Sequence, residues 1–266
     1  MGRLPAPGYA FAPDPRRVGH QMRWLAAACD GMSLPRLAAT GVTRGWRCLE
    51  IGTGGGSLAR WLAERVAPEG EVIATDLRPP DAPPTAGLRY LAHDVVHDPL
   101  PEGEFDLIVS RLVLQHLPER EKVLARLAGA LAPGGWLQID EYDISAEAPL
   151  LLPDPEAERL YRRFLAAKDE ALRAAGADPR WGREVAASMR AVGLVGIDPR
   201  PHVELRTPET ASLRLQIHHT YHLVDRLVAA GMTEAEVTAV RELMCDPSFR
   251  ACSSLFYSVH GRRPPV

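Results

Sequence analysis

Between Glu50 and Ser57 the chain runs Glu-Ile-Gly-Thr-Gly-Gly-Gly-Ser, and acidic residues recur at Asp76 and Asp94. Glycines in such a run let the backbone turn sharply and let a ligand approach the main chain with no Cβ in the way. The neighbouring side chains narrow the choice of ligand. The dinucleotide fingerprint GxGxxG requires glycine where this chain has Ser57, and no Gly-Lys-Ser/Thr follows, so the loop is not a nucleoside-triphosphate loop either. A carboxylate at Glu50, just under the loop, would repel a pyrophosphate but suits a ligand bearing an ammonium group and a sulfonium. Asp76 closes the run Val72-Ile73-Ala74-Thr75, where a carboxylate accepts two hydrogen bonds from the vicinal hydroxyls of a ribose, or else caps a helix. Asp94 follows His93 at the end of another apolar run, where it accepts from an adenine amine or closes a turn. Three acids at three successive strand ends, beside one glycine loop, favour the ligand reading over coincidence.

Those ends need strands to carry them. Short apolar runs at Cys48–Ile51, Glu71–Thr75, Leu88–Ala92, Phe105–Ser110 and Trp136–Asp140 alternate with helical patterns at Ser57–Val66 and Glu119–Leu131. This alternation predicts βαβ units, a doubly wound α/β Rossmann-like sheet that is mostly parallel, and ligand loops at the strand carboxyl ends. Residues 1–44 read as an N-terminal arm with helices that cover the ligand, including a short second helix at Leu34–Ala39. Residues 45–145 read as the binding core, 146–253 as a helical lid with a sheet-completing segment, and 254–266 as a closing antiparallel strand over Ser254–His260, all in one domain. Within the lid, 155–175 is an amphipathic helix, Thr207-Pro208 reads as a helix start, Gly231 as its end, and Thr233–Glu236 as a capping box.

The 266 residues carry a net charge of −3, with 31 basic residues against 34 acidic ones and no basic stripe. A nucleic-acid role is therefore not expected. No apolar run approaches the roughly 18 residues of a membrane span, so no membrane partner is expected, and the N-terminus lacks a signal-peptide pattern; a cytoplasmic location is expected. Cys29, Cys48, Cys245 and Cys252 form no CxxC pair and read as buried thiols. Whether the chain forms a homodimer is left open.

The pieces CLEIGTGGGSLARWL, VIATDL, AHDVVHDPLPEGEFDLIVSRLVLQHL and LAPGGWLQIDEYD, in that order over roughly Gly45–Asp143, resemble the class I S-adenosylmethionine-dependent methyltransferases. The ending YSVHGRRP makes the chain look more narrowly like small-molecule, UbiE-like methyltransferases of actinobacteria. The resemblance implies S-adenosylmethionine as cofactor and S-adenosylhomocysteine as product. It implies that Glu50, Gly52, Thr53 and Gly54 line the methionine and ribose, that Asp76 binds the ribose with Leu77 against adenine, and that Asp94 and Val95 face the adenine edge. Arg111 would pass beneath the sulfonium, and Tyr9 and Arg23 in the arm would fold over the cofactor.

Methyl transfer from a sulfonium is an in-line displacement, so alignment and exclusion of water supply much of the catalysis. A base is needed only for a protonated acceptor, and His116 and Glu141 are the candidates, each with a purely structural alternative. Tyr142, Tyr161, His218, His219 and His222 are candidates for lining the acceptor site. His218 and His222 share a helix face, yet no third ligand is apparent and no metal is expected. The expected activity is methylation of a small organic acceptor at oxygen, nitrogen or carbon, in specialised metabolism. The alternative is a cofactor-binding fold that cyclises or isomerises its substrate without methyl transfer.

Overall fold

A computed structural model describes residues 18–83 and 85–265; Tyr9 lies outside the described residues. The chain opens with helix α1 (Val18–Ala39) and then alternates strand and helix: β1 (Arg47–Ile51), α2 (Ser57–Val66), β2 (Glu71–Asp76), β3 (Leu88–Ala92), β4 (Phe105–Arg111), α3 (Arg120–Gly129) and β5 (Leu131–Asp143). The second half contributes β6 (Ala148–Leu151), α4 (Pro155–Ala174), α5 (Val185–Ala191), β7 (Val195–His202), β8 (Leu205–Arg206), α6 (Ala211–His222), α7 (Val224–Ala229), α8 (Glu234–Leu243), β9 (Arg250–Cys252) and β10 (Leu255–Arg262).

Seven strands form the main sheet in the order β3-β2-β1-β4-β5-β10-β7. The first five pair in parallel, and β10 runs antiparallel to both β5 and β7. Order reverses between β1 and β4, so the loops after those strands open into one crevice, the place where doubly wound sheets bind ligands. Central strands are buried on both faces, which explains their continuous apolar runs: Cys48, Leu49 and Ile51 of β1 and Leu107, Ile108 and Val109 of β4 are inaccessible or nearly so. Helix α2 lays Leu58, Ala59, Leu62, Ala63 and Val66 on the sheet, a spacing of three and four that makes a single helical face.

Residues after Asp143 build a second core around Tyr161, Phe164, Leu213, Val240 and Phe249, roofed by α4, α6, α7 and α8 and floored by a small sheet, β6-β9-β8. Local chemistry starts these helices. Asp154 accepts from the Glu156 and Ala157 amides at 2.8 Å with Pro155 in the first turn, and Thr233 and Glu236 form the full capping box. Among the described residues no helix is long and apolar enough to cross a membrane.

Four expectations require correction. The helix at Leu34–Ala39 is not separate: Pro35 sits inside α1, because Arg111 grips Asp30 and Ser33, Arg36 pairs with Asp198, and Leu37 is buried in the core. Tertiary anchoring overrides the breaker. Thr207-Pro208 forms a turn, closed by the Thr210 amide on the Thr207 carbonyl at 2.9 Å, and the helix starts at Ala211. Gly231, at φ +96 just past Ala230, does close the helical stretch, but that stretch is broken in two, α6 ending at His222 and α7 running from Val224 to Ala229. Cys245 is exposed and Cys252 partly so, leaving only Cys29 and Cys48 as buried thiols.

Candidate functional site

The glycine loop leaves β1 with Gly52, Gly54 and Gly56 all at positive φ, the backbone region that excludes most side chains. It is pinned from below: the Gly52 and Thr53 amides donate to the Thr75 carbonyl at 2.8 and 2.9 Å. The Gly54 amide donates to Asp76 Oδ2 at 2.9 Å, and the Arg78 amide to Asp76 Oδ1 at 2.9 Å. Asp76 thus presents its remaining lone pairs at the strand end, directly before Leu77, which is 66% exposed. An exposed leucine beside that carboxylate offers an apolar platform.

Glu50 lies beneath the loop and is buried. Its Oε2 accepts from the Thr53 hydroxyl at 2.7 Å, and burial lifts its carboxyl to about 7, against the opposing pull of Thr53 and Arg111. A buried carboxylate without a cation in direct contact is a group that a cationic ligand would ionise. Arg111 does not approach Glu50 as a salt-bridge partner; its guanidinium donates to Asp30 Oδ1 at 2.8 Å and to Ser57 Oγ at 3.0 Å, tying α1 and α2 to the end of β4. Helix α1 covers the loop. A Cβ on Gly54 would meet Met22 Sδ at 2.9 Å, so a ligand bound along the loop has α1 as its lid. Arg23, on the same helix, is exposed and lies over the Trp24 ring at 5.9 Å.

Asp94 is used locally. Its oxygens accept from the Val96 amide at 2.9 Å and pair with His97 Nδ1 at 2.9 Å, while Val95 is buried with its carbonyl held by Arg126. The turn-closing role is therefore present, and each oxygen of the carboxylate keeps a further lone-pair site.

The segment after β4 joins the loop to a second space. Val113 packs on Gly52, whose added Cβ would fall 2.2 Å from Val113 Cγ2. Its neighbours Leu112, Gln115 and His116 line a cavity of about 70 Å³ under the lid, together with Tyr142, Ile144, Glu147, Lys168, Arg206, Ser212, Gln216 and His219. Leu112 has φ +56, the sole non-glycine residue at positive φ among those described, a strain held in place by its amide bond to the Asp140 carbonyl at 2.9 Å. The cavity has room for only about two waters, so an organic molecule would fit there only if the lining helices α1 and α6 moved apart. Gly52→Ala should cost about 2 kcal/mol, because the methyl needs positive φ and displaces Val113; a lower urea midpoint at unchanged slope checks it.

The structure separates the expected acceptor-site residues. His116, Tyr142 and His219 line the cavity; His218, His222, Tyr161 and Glu141 do not. His218 stacks on His20 across the α1–α6 contact at 6.0 Å. Tyr161 belongs to the lid core, accepting from Gln216 Nε2 at 2.8 Å. Glu141 is inaccessible: its Oε1 accepts from the Val113 and Gln115 amides at 3.2 Å each, and burial raises its carboxyl to about 8. It braces the post-β4 segment from behind. Burial, with Arg120 nearby, brings His116 down to about 4, and burial holds His219 well below its ordinary value, so both imidazoles are neutral near pH 7. No group of three or more His, Cys, Asp or Glu with metal-holding geometry occurs among the described residues.

Sequence reasoning missed a charged cluster on the cavity wall. Lys168 Nζ donates to Glu147 Oε1 and Oε2 at 2.8 and 2.7 Å and to Gln216 Oε1 at 3.0 Å. Arg206 Nη1 reaches Gln216 Oε1 at 2.8 Å and Glu147 Oε1 at 3.2 Å, and the Ser254 hydroxyl donates to the same carboxylate. One signal was available: Lys168 stands four residues from both Phe164 and Leu172, inside the apolar stripe of α4.

Residues 49–139 match the model of the methyltransferase-domain family. The glycine loop, the acidic ends of β1 and β2 and the reversal in the sheet all fall in that segment. That match covers about a third of the chain. The chain is 36% identical over 139 residues to methyltransferase str2 of Strobilurus tenacellus, covering 52% of this chain and 49% of that one. It is 33% identical to the demethylmenaquinone methyltransferase of Thermus thermophilus, over 52% of this chain and 62% of that one. The match thus spans about half to three-fifths of those relatives' lengths. Among solved structures, a phosphoethanolamine N-methyltransferase of Haemonchus contortus, in complex with phosphomonomethylethanolamine and S-adenosylhomocysteine, shares the fold at TM-score 0.52 and 17% identity, over 88% of this chain and 52% of that one. Glu147, Lys168 and Arg206, the charged groups of the polar cluster, lie outside residues 49–139.

Proposed function

We propose that the protein transfers a methyl group from S-adenosylmethionine to a small organic acceptor held under the lid, in specialised metabolism. The observation that carries this reading is the post-β4 segment: Val113 touches the glycine loop while Leu112, Gln115 and His116 face the lid cavity. The two spaces share one wall, as an in-line displacement requires of donor and acceptor. The relatives' methyltransferase names and the S-adenosylhomocysteine bound to the Haemonchus protein support the same donor.

Bound S-adenosylmethionine supplies an electrophilic methyl on a sulfonium. Asp76 would accept from the ribose hydroxyls, with Leu77 against adenine, Asp94 and Val95 at its edge, and Gly52, Thr53 and Gly54 letting the ligand come close to the backbone. Glu50, ionised by the donor's positive charge, would orient the methionine end. Helix α1, carrying Met22 and Arg23, excludes water. At the acceptor, neutral His116 accepts a hydrogen bond from an O–H or N–H group and takes its proton as charge develops. Incubation with methyl-labelled donor and a panel of small acceptors tests the reading by product mass. Label appearing only in RNA or protein overturns it, and a rearranged product of unchanged mass establishes cyclisation or isomerisation instead.

Glu50 adds a pH signature. Its carboxyl holds a proton below about 7 in the ligand-free protein, and a cationic ligand binds the ionised form. Binding of S-adenosylhomocysteine, which keeps the ammonium group, therefore releases close to one proton at pH 6. Affinity rises towards tenfold per pH unit up to about 7 and then levels. Calorimetry in buffers of different ionisation heat measures the release, and Glu50→Gln abolishes it. Equal heats in every buffer at pH 6 would remove Glu50 from the methionine end.

A further inference from the structure

The lid cavity carries an imbalance of charge that methyl transfer itself does not use. Glu147, Lys168 and Arg206 all line it and are at most 9% exposed, so one carboxylate faces an ammonium and a guanidinium. Lys168 has its three N–H bonds directed at Glu147 Oε1, Glu147 Oε2 and Gln216. Arg206 shares Nη1 between Gln216 and Glu147, but its buried Nε has no hydrogen-bond partner among the described residues. Two other buried atoms of the lining, Ser212 Oγ and Gln21 Oε1, are likewise unpartnered. The other titratable groups of the lining, Tyr142, His116 and His219, are uncharged near pH 7, and among the described residues no carboxylate but Glu147 borders the space.

A net positive charge in a low-dielectric pocket walled by Leu25, Leu112, Ile144, Leu172 and Leu215 is costly until an anion pairs it. Arg206 is well placed to meet that anion. It sits on β8, a strand paired with β9, and its planar fork matches a carboxylate, with the Ser212 hydroxyl as a second donor. We propose that the acceptor is a small apolar acid whose carboxylate is bound by Arg206 and Ser212, with Lys168 supporting the charge. The word acceptor rests on the methyl-transfer reading; the acid subsite is read from the cavity alone.

The test is a comparison of matched probes on the full chain. Benzoate, phenylacetate and cinnamate are set against their methyl esters and primary amides by calorimetry and thermal shift, with and without S-adenosylhomocysteine. At least one of the three acids is expected to bind at least tenfold more tightly than both its methyl ester and its amide. That preference should fall below threefold in Arg206→Met, while S-adenosylhomocysteine affinity stays within twofold of wild type. Equal binding of acids and neutral partners across the panel by wild-type protein overturns the proposal and needs no variant. So does an acid preference that survives in Arg206→Met. Failure of S-adenosylhomocysteine to bind would instead count against the methyl-transfer reading, since the acid preference is also measured without it.

Discussion

Glu147→Ala is expected to lower the stability of the fold by about 3–5 kcal/mol, because it strands two cations rather than one charge pair. Lys168 and Arg206 are 5% and 4% exposed, and both take Glu147 as an acceptor, so removing the carboxylate leaves two buried cations without their counter-charge. Burial alone would raise the Glu147 carboxyl; Lys168 and Arg206 outweigh it and hold the group at about 2. The folded value is lower than the ordinary 4.5, so the stabilisation is fully present above pH 4.5 and is lost as pH falls towards 2. The gap corresponds to about 3 kcal/mol, in line with the mutational figure. Denaturation of wild type and Glu147→Gln at pH 7 and at pH 3 measures it. The difference between them should be several kcal/mol at pH 7 and should shrink sharply at pH 3. A Glu147→Ala protein within 1 kcal/mol of wild type at pH 7 would show that the lid does not depend on this cluster. Breaking the pair and replacing it are different experiments: a packed apolar triple substitution at Glu147, Lys168 and Arg206 could fold well yet would lose the anion site.

The parts of this molecule that were legible in the sequence are those whose signals are local. The glycine loop, the strand ends at Glu50 and Asp76 and the capping box at Thr233 announce themselves within a few residues, because backbone sterics and capping are short-range physics. The sheet from β1 to β5 followed from the alternation of buried strands with amphipathic helices. Features fixed by distant partners were hidden. Pro35 reads as a break in isolation and is overruled by Arg111, Arg36 and Leu37, contacts that no window around it contains. Glu147, Arg206 and Gln216 look like surface residues, and Lys168 alone is marked by its place in the apolar stripe of α4, until α4, α6 and β8 bring the four together. The histidines of α6 show the same limit from the other side. Helical spacing puts His218 and His222 on one face of a helix, but it says nothing of which face meets the cavity, where His219 lies.

Asp76→Ala should weaken S-adenosylhomocysteine binding by at least 100-fold while leaving the unfolding midpoint of the ligand-free protein within a few degrees of wild type. The carboxylate serves two ends. It accepts the Gly54 and Arg78 amides at 2.9 Å each, which fixes the loop relative to β2, and in the proposed donor site its outward lone pairs would meet the ribose diol. Two charge-assisted hydrogen bonds to hydroxyls contribute about 3 kcal/mol or more, which is the 100-fold. The amide bonds matter less for stability, because Asp76 lies at a strand end and water can replace it at both N–H groups. Asp76→Asn separates the two roles. One side-chain oxygen survives to hold either the loop or a hydroxyl, but the new NH2 group faces a donor wherever the second oxygen stood, so binding should fall by an intermediate 10- to 50-fold. Calorimetry gives all three affinities. Asp76→Ala binding within threefold of wild type would mean that the acidic tip of β2 only ties the loop, and the assignment of the ribose to it would have to be abandoned. Loss of binding in Asp76→Ala with full binding in Asp76→Asn would point the same way, since the asparagine can still hold Gly54 but cannot accept from both hydroxyls.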